Sequence, residues 1–298
     1  MKSGTVALIG RPNAGKSSLV NAILKTRAVI VSPKPQTTRN IIRCIYNDDE
    51  SQIIFTDTPG LYKITADNDK LGKFFSASVS DFLEDADLIC RLVDAGTGKL
   101  NNDDAAINEI ISQVSTPVIL VVTKADKFNP ERVMKMYGNN FKFADQIAVS
   151  ALRNRNIDEF ITLVKKYIPD GEMLFDPDIL MASTEKFMAA EIIRGEILMS
   201  LRDEIPHCTA VEINEYKSPD EYPDRKSLYI RATLIVETEG QKKIIIGSGG
   251  NMIKKIGMAS RKNIQEATGF KVFLDLWVKV IPDWRRNNNI LRRFGYAL

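Results

Sequence analysis

Histidine and cysteine are scarce in this chain of 298 residues, which has one His and three Cys. A lone histidine, His207, cannot build a histidine metal site. Cys44, Cys90 and Cys208 are too widely separated for disulfide or zinc-ligand spacing and suit a reducing compartment. No apolar run is long enough to span a bilayer. The chain enters a strand-like run at Val6, which leaves no room for a leader segment, so a cytoplasmic location is expected. A strong net charge is also lacking, at +3 overall. That balance conceals an asymmetry. Residues 169–240 carry 7 Lys and Arg against 16 Asp and Glu, whereas residues 241–298 carry 12 against 3. Such a basic segment fits a polyanion-binding face, or a segment that neutralises its acidic neighbour within one domain; charge alone leaves both open. Hydrophobic residues make up 44%, enough for ordinary cores, and the length favours two domains over one.

The most informative stretch is Gly10-Arg11-Pro12-Asn13-Ala14-Gly15-Lys16-Ser17. It follows an apolar run, Val6–Ile9, and precedes a helical pattern beginning at Ser17 and Ser18. Its spacing, G-x-x-x-x-G-K-S between strand and helix, is that of a phosphate-binding loop. Glycines let the backbone wrap so that N–H groups face phosphate oxygens, and the helix N-terminus adds partial positive charge there. In that geometry Lys16 reaches the β- and γ-phosphates and the Ser17 hydroxyl holds Mg²⁺.

Short strand-like runs alternate with helical patterns as far as about Tyr167. The runs are Val6–Ile9, Ile41–Tyr46, Ile53–Thr56, Leu88–Val93, Val118–Val122 and Ile147–Val149. Helical stretches are expected near Ser17–Lys25, Leu71–Leu83, Ala105–Gln113, Glu131–Tyr137 and Ile157–Tyr167. This alternation predicts an α/β domain with a mostly parallel sheet and ligand loops at the carboxyl ends of its strands. Gly10, Asp57, Asp94, Thr123 and Ser150 fall at such ends. Asp57-Thr58-Pro59-Gly60 supplies a carboxylate for Mg²⁺ and a Gly60 N–H for the γ-phosphate. Thr123-Lys124-Ala125-Asp126 is similar to the guanine-reading pattern N-K-x-D. The Asp126 carboxylate can accept from guanine N1–H and the 2-amino group, and the Lys124 stem can lie over the base. Thr123 stands where the pattern has Asn, so a weaker tether of the base loop is expected. Ser150-Ala151-Leu152 fits a segment that offers a backbone N–H to guanine O6. Between the first helix and Ile41, the proline-containing loop Val31–Arg39 includes Thr38, the hydroxyl favoured to complete the Mg²⁺ shell. The polar stretch Leu61–Ser76 is expected to be a second switch segment.

The set G-R-P-N-A-G-K-S, Q-T-T-R, D-T-P-G, T-K-A-D and S-A-L resembles the TRAFAC-class GTPases of the Era group, with every motif in order. The resemblance implies a P-loop GTPase domain binding GTP and Mg²⁺, with Lys16, Thr38 and Asn13 serving catalysis. Leu61 follows D-x-x-G where many small GTPases carry a water-orienting glutamine, and leucine cannot hydrogen-bond water. In GTPases resembling this group, an asparagine at the place of Asn13 helps seat K⁺, so stimulation by K⁺ is expected.

A join is expected over Ile168–Leu180, between a first domain ending at 168 and a second beginning at 181. A long helix is expected over Thr184–Ile205, then strands over Val211–Glu215 and Leu228–Thr238. An apolar run beginning at Lys242-Lys243 meets the turn Gly247-Ser248-Gly249-Gly250, and a helix starts near Asn251 with Ile253, Ile256, Ser260, Ile264 and Ala267 facing inward. A half-buried strand follows over Val272–Val280. The order helix, strand, strand, helix, strand with G-x-x-G resembles an α+β type II KH domain, whose loop clamps about four single-stranded nucleotides. The two middle positions, often basic, are Ser248 and Gly249 here. Phosphate contact is therefore expected from backbone N–H groups and from Lys242, Lys243, Lys254 and Lys255. Phe273 and Trp277 share the polar side of the last strand, where cover by a C-terminal helix is favoured over stacking on bases. Arg285, Arg286, Arg292 and Arg293 form a solvated face or extend the RNA surface.

With K-F-M-A-A-E-I-I-R in the connecting helix and L-W-V-K-V in the last strand, the resemblance to the Era group extends over nearly the full chain. It implies a GTP-hydrolysing switch that binds the 3′ region of small-subunit ribosomal RNA and acts in small ribosomal subunit assembly. It also implies peripheral contact with the cytoplasmic face of the membrane, for which the sequence itself supplies only basic patches. Two alternatives remain: an RNA-binding assembly scaffold in which nucleotide is structural, and a GTPase that modifies transfer RNA, for which no cofactor or nucleophile site is evident.

Overall fold

The computed structural model describes residues 1–26, 29–31, 42–57 and 83–294. Thr38, Gly60, Leu61 and the expected second switch lie outside the described residues, as does nearly all of the helix expected over Leu71–Leu83. The chain divides into two compact units, Met1–Ala182 and Ser183–Leu298.

The first unit is built on six strands: β1 (Lys2–Gly10), β2 (Ile42–Asn47), β3 (Ser51–Asp57), β4 (Leu88–Asp94), β5 (Val118–Thr123) and β6 (Asp145–Ala148). Their order is β2-β3-β1-β4-β5-β6, parallel throughout except that β2 runs antiparallel to β3. β3 and β5 are buried at every position, which is why their apolar runs do not alternate. Among the described residues, four helices accompany the sheet: α1 (Lys16–Ile23), α2 (Asn102–Ser112), α3 (Glu131–Gly138) and α4 (Ile157–Lys165). Cys44, Cys90 and Cys208 are buried and form no disulfide among the described residues.

The stretch read as a join is not a free tether. The Ser3 and Gly171 N–H groups donate to the Pro169 and Met1 carbonyls. The Gln52 amide accepts from Leu174 and Phe175 and donates to the Phe175 carbonyl. Farther on, Ile45 N–H donates to Leu180 and Ala182 N–H to Arg43, so this segment pairs along the outer side of β2. It satisfies backbone groups that an edge strand would leave to solvent.

The second unit runs α5 (Glu185–Ser200), β7 (Ala210–Lys217), β8 (Leu228–Val236), α6 (Glu239–Ile246), α7 (Asn251–Thr268), β9 (Val272–Val280) and a short α8 (Asn288–Arg293). β7 pairs antiparallel with β8, and β8 pairs parallel with β9. One core unites Ile193 and Ile197 of α5, Ile230, Ala232 and Leu234 of β8, and Ile256 and Ile264 of α7. Three sequence expectations differ from this. The first helix stops at Ser200, not Ile205: Leu201 is extended, Asp203 is left-handed, and Pro206 cannot donate into a helical ladder. The run from Lys242 is a further helix, α6. Its start is fixed by a capping box in which Thr238 accepts from Gln241 N–H while the Gln241 side chain accepts from Thr238 N–H. Ala267 faces solvent, since the inward stripe of α7 ends at Ile264.

Candidate nucleotide site and nucleic-acid interface

Parallel register brings Gly10, Asp57, Asp94, Thr123 and Ser150 to one end of the first sheet, with Leu8 opposite Asp57 and Asp94 opposite Thr123. Gly10 has no room for a side chain, because a Cβ would lie 2.6 Å from the Leu92 carbonyl oxygen. Asn13 and Gly15 adopt φ of +63° and +90°, and Asn13 is exposed at the loop's tip. Pro12 and Ser18 are half-buried and Ala14 is buried.

Lys16 is 6% exposed, and its Nζ donates to the Gly10 and Arg11 carbonyls at 3.1 and 3.3 Å. Burial pushes this amine down to about 8; Asp57 opposes the shift and Arg91 adds to it. The Ser17 hydroxyl donates to Asp57 Oδ2 at 2.6 Å, so the hydroxyl and carboxylate that motif reading assigned to one ion already meet. Among the described residues no cluster of three or more His, Cys, Asp or Glu could hold a metal.

The base loop is tied by a bond the sequence reading did not anticipate. Thr123 is buried, and its hydroxyl lies 2.7 Å from the Ala14 carbonyl of the phosphate loop and 3.2 Å from that of Val93. Losing the asparagine amide therefore does not untie the loop. Lys124, at φ +58°, is held by an ion pair of 2.6 Å to Asp94. Asp126 is exposed, and the Ser150 hydroxyl donates to it at 2.6 Å, which is the main cause of its lowered pKa. The result is an oriented, ionised carboxylate at the surface beside Ala151 and the exposed Leu152.

A second network was also missed. Arg91, fully buried in β4, donates to Asp104 Oδ1 at 2.7 Å, while Arg11 of the phosphate loop reaches Asp104 Oδ2 at 3.5 Å. Asp104 also closes the capping box of α2 with Asn101. The signal was the arginine inside the apolar run L-I-C-R-L-V, since a buried cation requires a partner.

In the second unit the G-x-x-G loop joins α6 to α7. A Cβ on Gly247 would lie 2.7 Å from that of Met252, and Gly247, Gly249 and Gly250 all have positive φ. The sequence reading assigned phosphate contact partly to backbone N–H groups. Three N–H groups at this loop are engaged internally: Gly247 N–H donates to Lys243, Gly250 N–H to Gly247 and Asn251 N–H to Ser248. Lys243, Lys254 and Lys255 are exposed and Lys242 is half-buried; none of the four has an ion-pair partner among the described residues. By contrast, Arg285 pairs with Glu237 at 2.6 Å and Arg293 with Glu212 at 2.5 Å. These pairs anchor the C-terminal segment together with Trp284, whose indole donates to the Cys208 carbonyl. The favoured cover over β9 is not formed by the described residues. Trp284 is buried, whereas Phe273 and Trp277 are 61% and 60% exposed.

A family model described as a 50S ribosome-binding GTPase matches residues 5–124, and a KH domain model matches residues 204–285. GTPase Era of Thermoanaerobacter sp. (strain X514) is 42% identical over 300 residues, covering 100% of this chain and 97% of the relative. GTPase Era of Aquifex aeolicus (strain VF5) is 39% identical over 304 residues, covering 100% of both. Among solved structures, Era in complex with MgGDPNP and nucleotides 1506–1542 of 16S ribosomal RNA superposes with a TM-score of 0.93, at 39% identity and covering 100% of both chains. An Aquifex aeolicus Era variant bound to GDP·AlF4⁻ gives the same TM-score, identity and coverage.

Proposed function

The chain belongs to the Era family of GTPases, and on that premise we propose that it is a GTP-hydrolysing switch that binds the 3′ region of small-subunit ribosomal RNA through its KH domain during small-subunit assembly. The observation that carries the reading is the convergence of Lys16, Ser17 and Asp57 at the strand ends that also present Asp126 and Ser150. This arrangement supports phosphate and guanine recognition at the carboxyl ends of one sheet's strands. The similarity of both units, over the whole chain, to an Era bound to a ribosomal RNA fragment supports the choice of RNA.

In this reading Gly10–Ser17 cradles the phosphates and Lys16 neutralises their charge. Mg²⁺ fits the site: Ser17 Oγ and the Asp57 carboxylate are hard oxygen donors 2.6 Å apart, with Thr38 assigned to complete the set. When bound, Mg²⁺ offsets negative charge on the β- and γ-phosphate oxygens. Gly60, outside the described residues, is assigned to the γ-phosphate, and Asp126, Lys124 and Ser150–Leu152 to guanine. Asn13, exposed at the loop tip, is the residue assigned to K⁺, and equal turnover in K⁺ and Na⁺ buffers would remove that role. Peripheral membrane contact would rest on basic patches, since no helix among the described residues is long and apolar enough to cross a membrane. Failure to sediment with anionic vesicles would exclude it.

Crosslinking in cells tests the RNA partner: bound fragments should map to the 3′ end of small-subunit ribosomal RNA. Lys16→Ala separates the switch from a scaffold with structural nucleotide. A folded Lys16→Ala protein that still supports assembly would favour the scaffold.

A further inference from the structure

The three-stranded sheet of the second unit buries one face under α5, α6 and α7 and leaves an unusual surface on the other. Phe273 and Trp277 point outward from β9 with about three-fifths of their surface in water. Along a strand, positions four apart are separated by about 13 Å. Phe273 stacks on Tyr229 of β8, with ring centroids 5.8 Å apart and planes inclined by 21°. Cations surround this pair: Arg225, Arg231 and Lys217 lie 5.4, 5.8 and 5.9 Å from the Tyr229 centroid. Lys279 projects on the same side of β9 as Trp277 and is exposed. Three carboxylates belong to the face. Glu212, which lies across Thr233 from Trp277, pairs with Arg293. Glu215 pairs with Lys217 and Arg231, and Asp275 pairs with Arg231 and accepts from the Trp277 indole. With Arg293 included, five cations stand against three anions, and the surface stays positive.

We infer that this face is a stacking platform for single-stranded RNA, separate from the G-x-x-G loop, with Trp277 and Phe273 each taking a base and the flanking cations taking phosphates. The inference rests on the reading of this unit as an RNA-binding domain. Large aromatics held open on a rigid sheet beside cations are what sequence-tolerant base stacking requires. An apolar protein surface would have to leave the excess positive charge unmatched, whereas a polyanion complements it. Continuity with the loop supports the same occupant. α7, which begins at the loop, packs on β9 where a Cβ on Gly257 would lie 3.4 Å from Leu276, the neighbour of Trp277. Among the described residues β9 is an edge strand, paired with β8. An RNA clamped at the loop thus has one strand's width to cross before reaching the aromatic face.

The test uses the full chain and random-sequence single-stranded RNA of about five and about fifteen nucleotides, near and well above one KH footprint of about four. Trp277→Ala should weaken binding of the longer RNA by about 5- to 150-fold, the range for one lost base stack, and leave the shorter RNA unaffected. Trp277→Phe should restore most of that loss, because it keeps a stacking surface. The longer RNA should quench the part of the emission that is absent from Trp277→Phe, Trp284 being buried. Unchanged affinity of Trp277→Ala for the longer RNA, with Trp277 emission unaltered at saturation, would overturn the platform while leaving the loop site standing. If Gly249→Asp binds the shorter RNA as tightly as wild type does, the loop reading fails instead. A dimer in sedimentation that dissociates on Trp277→Ala substitution would assign the face to a second copy and overturn RNA as its occupant.

Discussion

At the residue scale, the phosphate loop holds a buried ammonium before any phosphate arrives. Lys16 is pushed from 10.5 down to about 8 because its water is replaced by two carbonyls and apolar walls. The sign of the consequence is fixed by linkage. Between pH 8 and 10.5 the unfolded chain holds a proton on Lys16 that the folded chain has released, so this group's contribution to stability rises with pH across that window. The gain is at most about 3 kcal/mol. Below pH 8 the charged amine is held in place at that same cost. Lys16→Met should therefore be more stable than wild type at neutral pH, with the difference vanishing towards pH 10.5, as read by denaturant melts of the nucleotide-free protein. GTP affinity of the wild type should fall above about pH 8, where the amine is neutral before binding. Thr123 makes a second prediction. Thr123→Val keeps the shape and deletes the donor to the Ala14 carbonyl, at a cost of about 1–3 kcal/mol in stability and with weaker GTP binding. Thr123→Asn restores a donor and should recover most of the loss.

At the element scale, β4 and α2 are joined to the phosphate loop by one carboxylate. Asp104 faces the buried Arg91 on one side and Arg11 on the other. Removing one partner of a buried pair leaves an uncompensated charge, and Asp104→Ala should destabilise the protein by about 3–5 kcal/mol. Arg91→Met combined with Asp104→Leu should recover much of that, because the buried charges leave together. A double-mutant cycle on denaturant midpoints measures the coupling. The same elements indicate what sequence alone conveys. The parallel sheet was legible because unbroken apolar runs alternating with helical patterns have few other solutions, and the loop motifs fell at strand ends for the same reason. The Arg91–Asp104 pair was hidden because its partners are brought together only by the α2 crossover. Helix α6 was legible in principle, through the spacing of Thr238 and Gln241, but its apolar run Ile244–Ile246 reads equally well as strand. The seat of Trp284 on the Cys208 carbonyl, 76 positions away, follows from tertiary packing that no local pattern encodes.

At the scale of the whole molecule, the distribution of paired and unpaired charge decides what the basic segment does. Its excess over residues 241–298 is divided between paired and unpaired side chains. Arg285 and Arg293 are neutralised by Glu237 and Glu212, and serve to fasten the C-terminal segment. The four lysines around G-x-x-G have no ion-pair partner among the described residues, and in the proposed reading they are the polyanion face. Binding through those lysines must release counterions, so the logarithm of RNA affinity should fall linearly with the logarithm of salt concentration. Each lysine that contacts a phosphate contributes about 0.7 to that slope for a single strand. Lys254→Ala and Lys255→Ala should each flatten the slope by about that amount, whereas Arg285→Ala should leave it unchanged and lower stability instead. Reciprocity adds a test of the switch itself. If GTP tightens RNA binding by some factor, RNA must tighten GTP binding by the same factor, since both follow from one coupling free energy. Measured with Mg²⁺ and a non-hydrolysable GTP analogue at fixed salt, the two factors should agree and exceed unity. Lys254→Ala should lower RNA affinity in both nucleotide states without altering the factor, because phosphate contacts at the loop add equally to both. A factor of one in each direction, with turnover unaffected by RNA, would leave GTP and RNA as independent ligands of one chain.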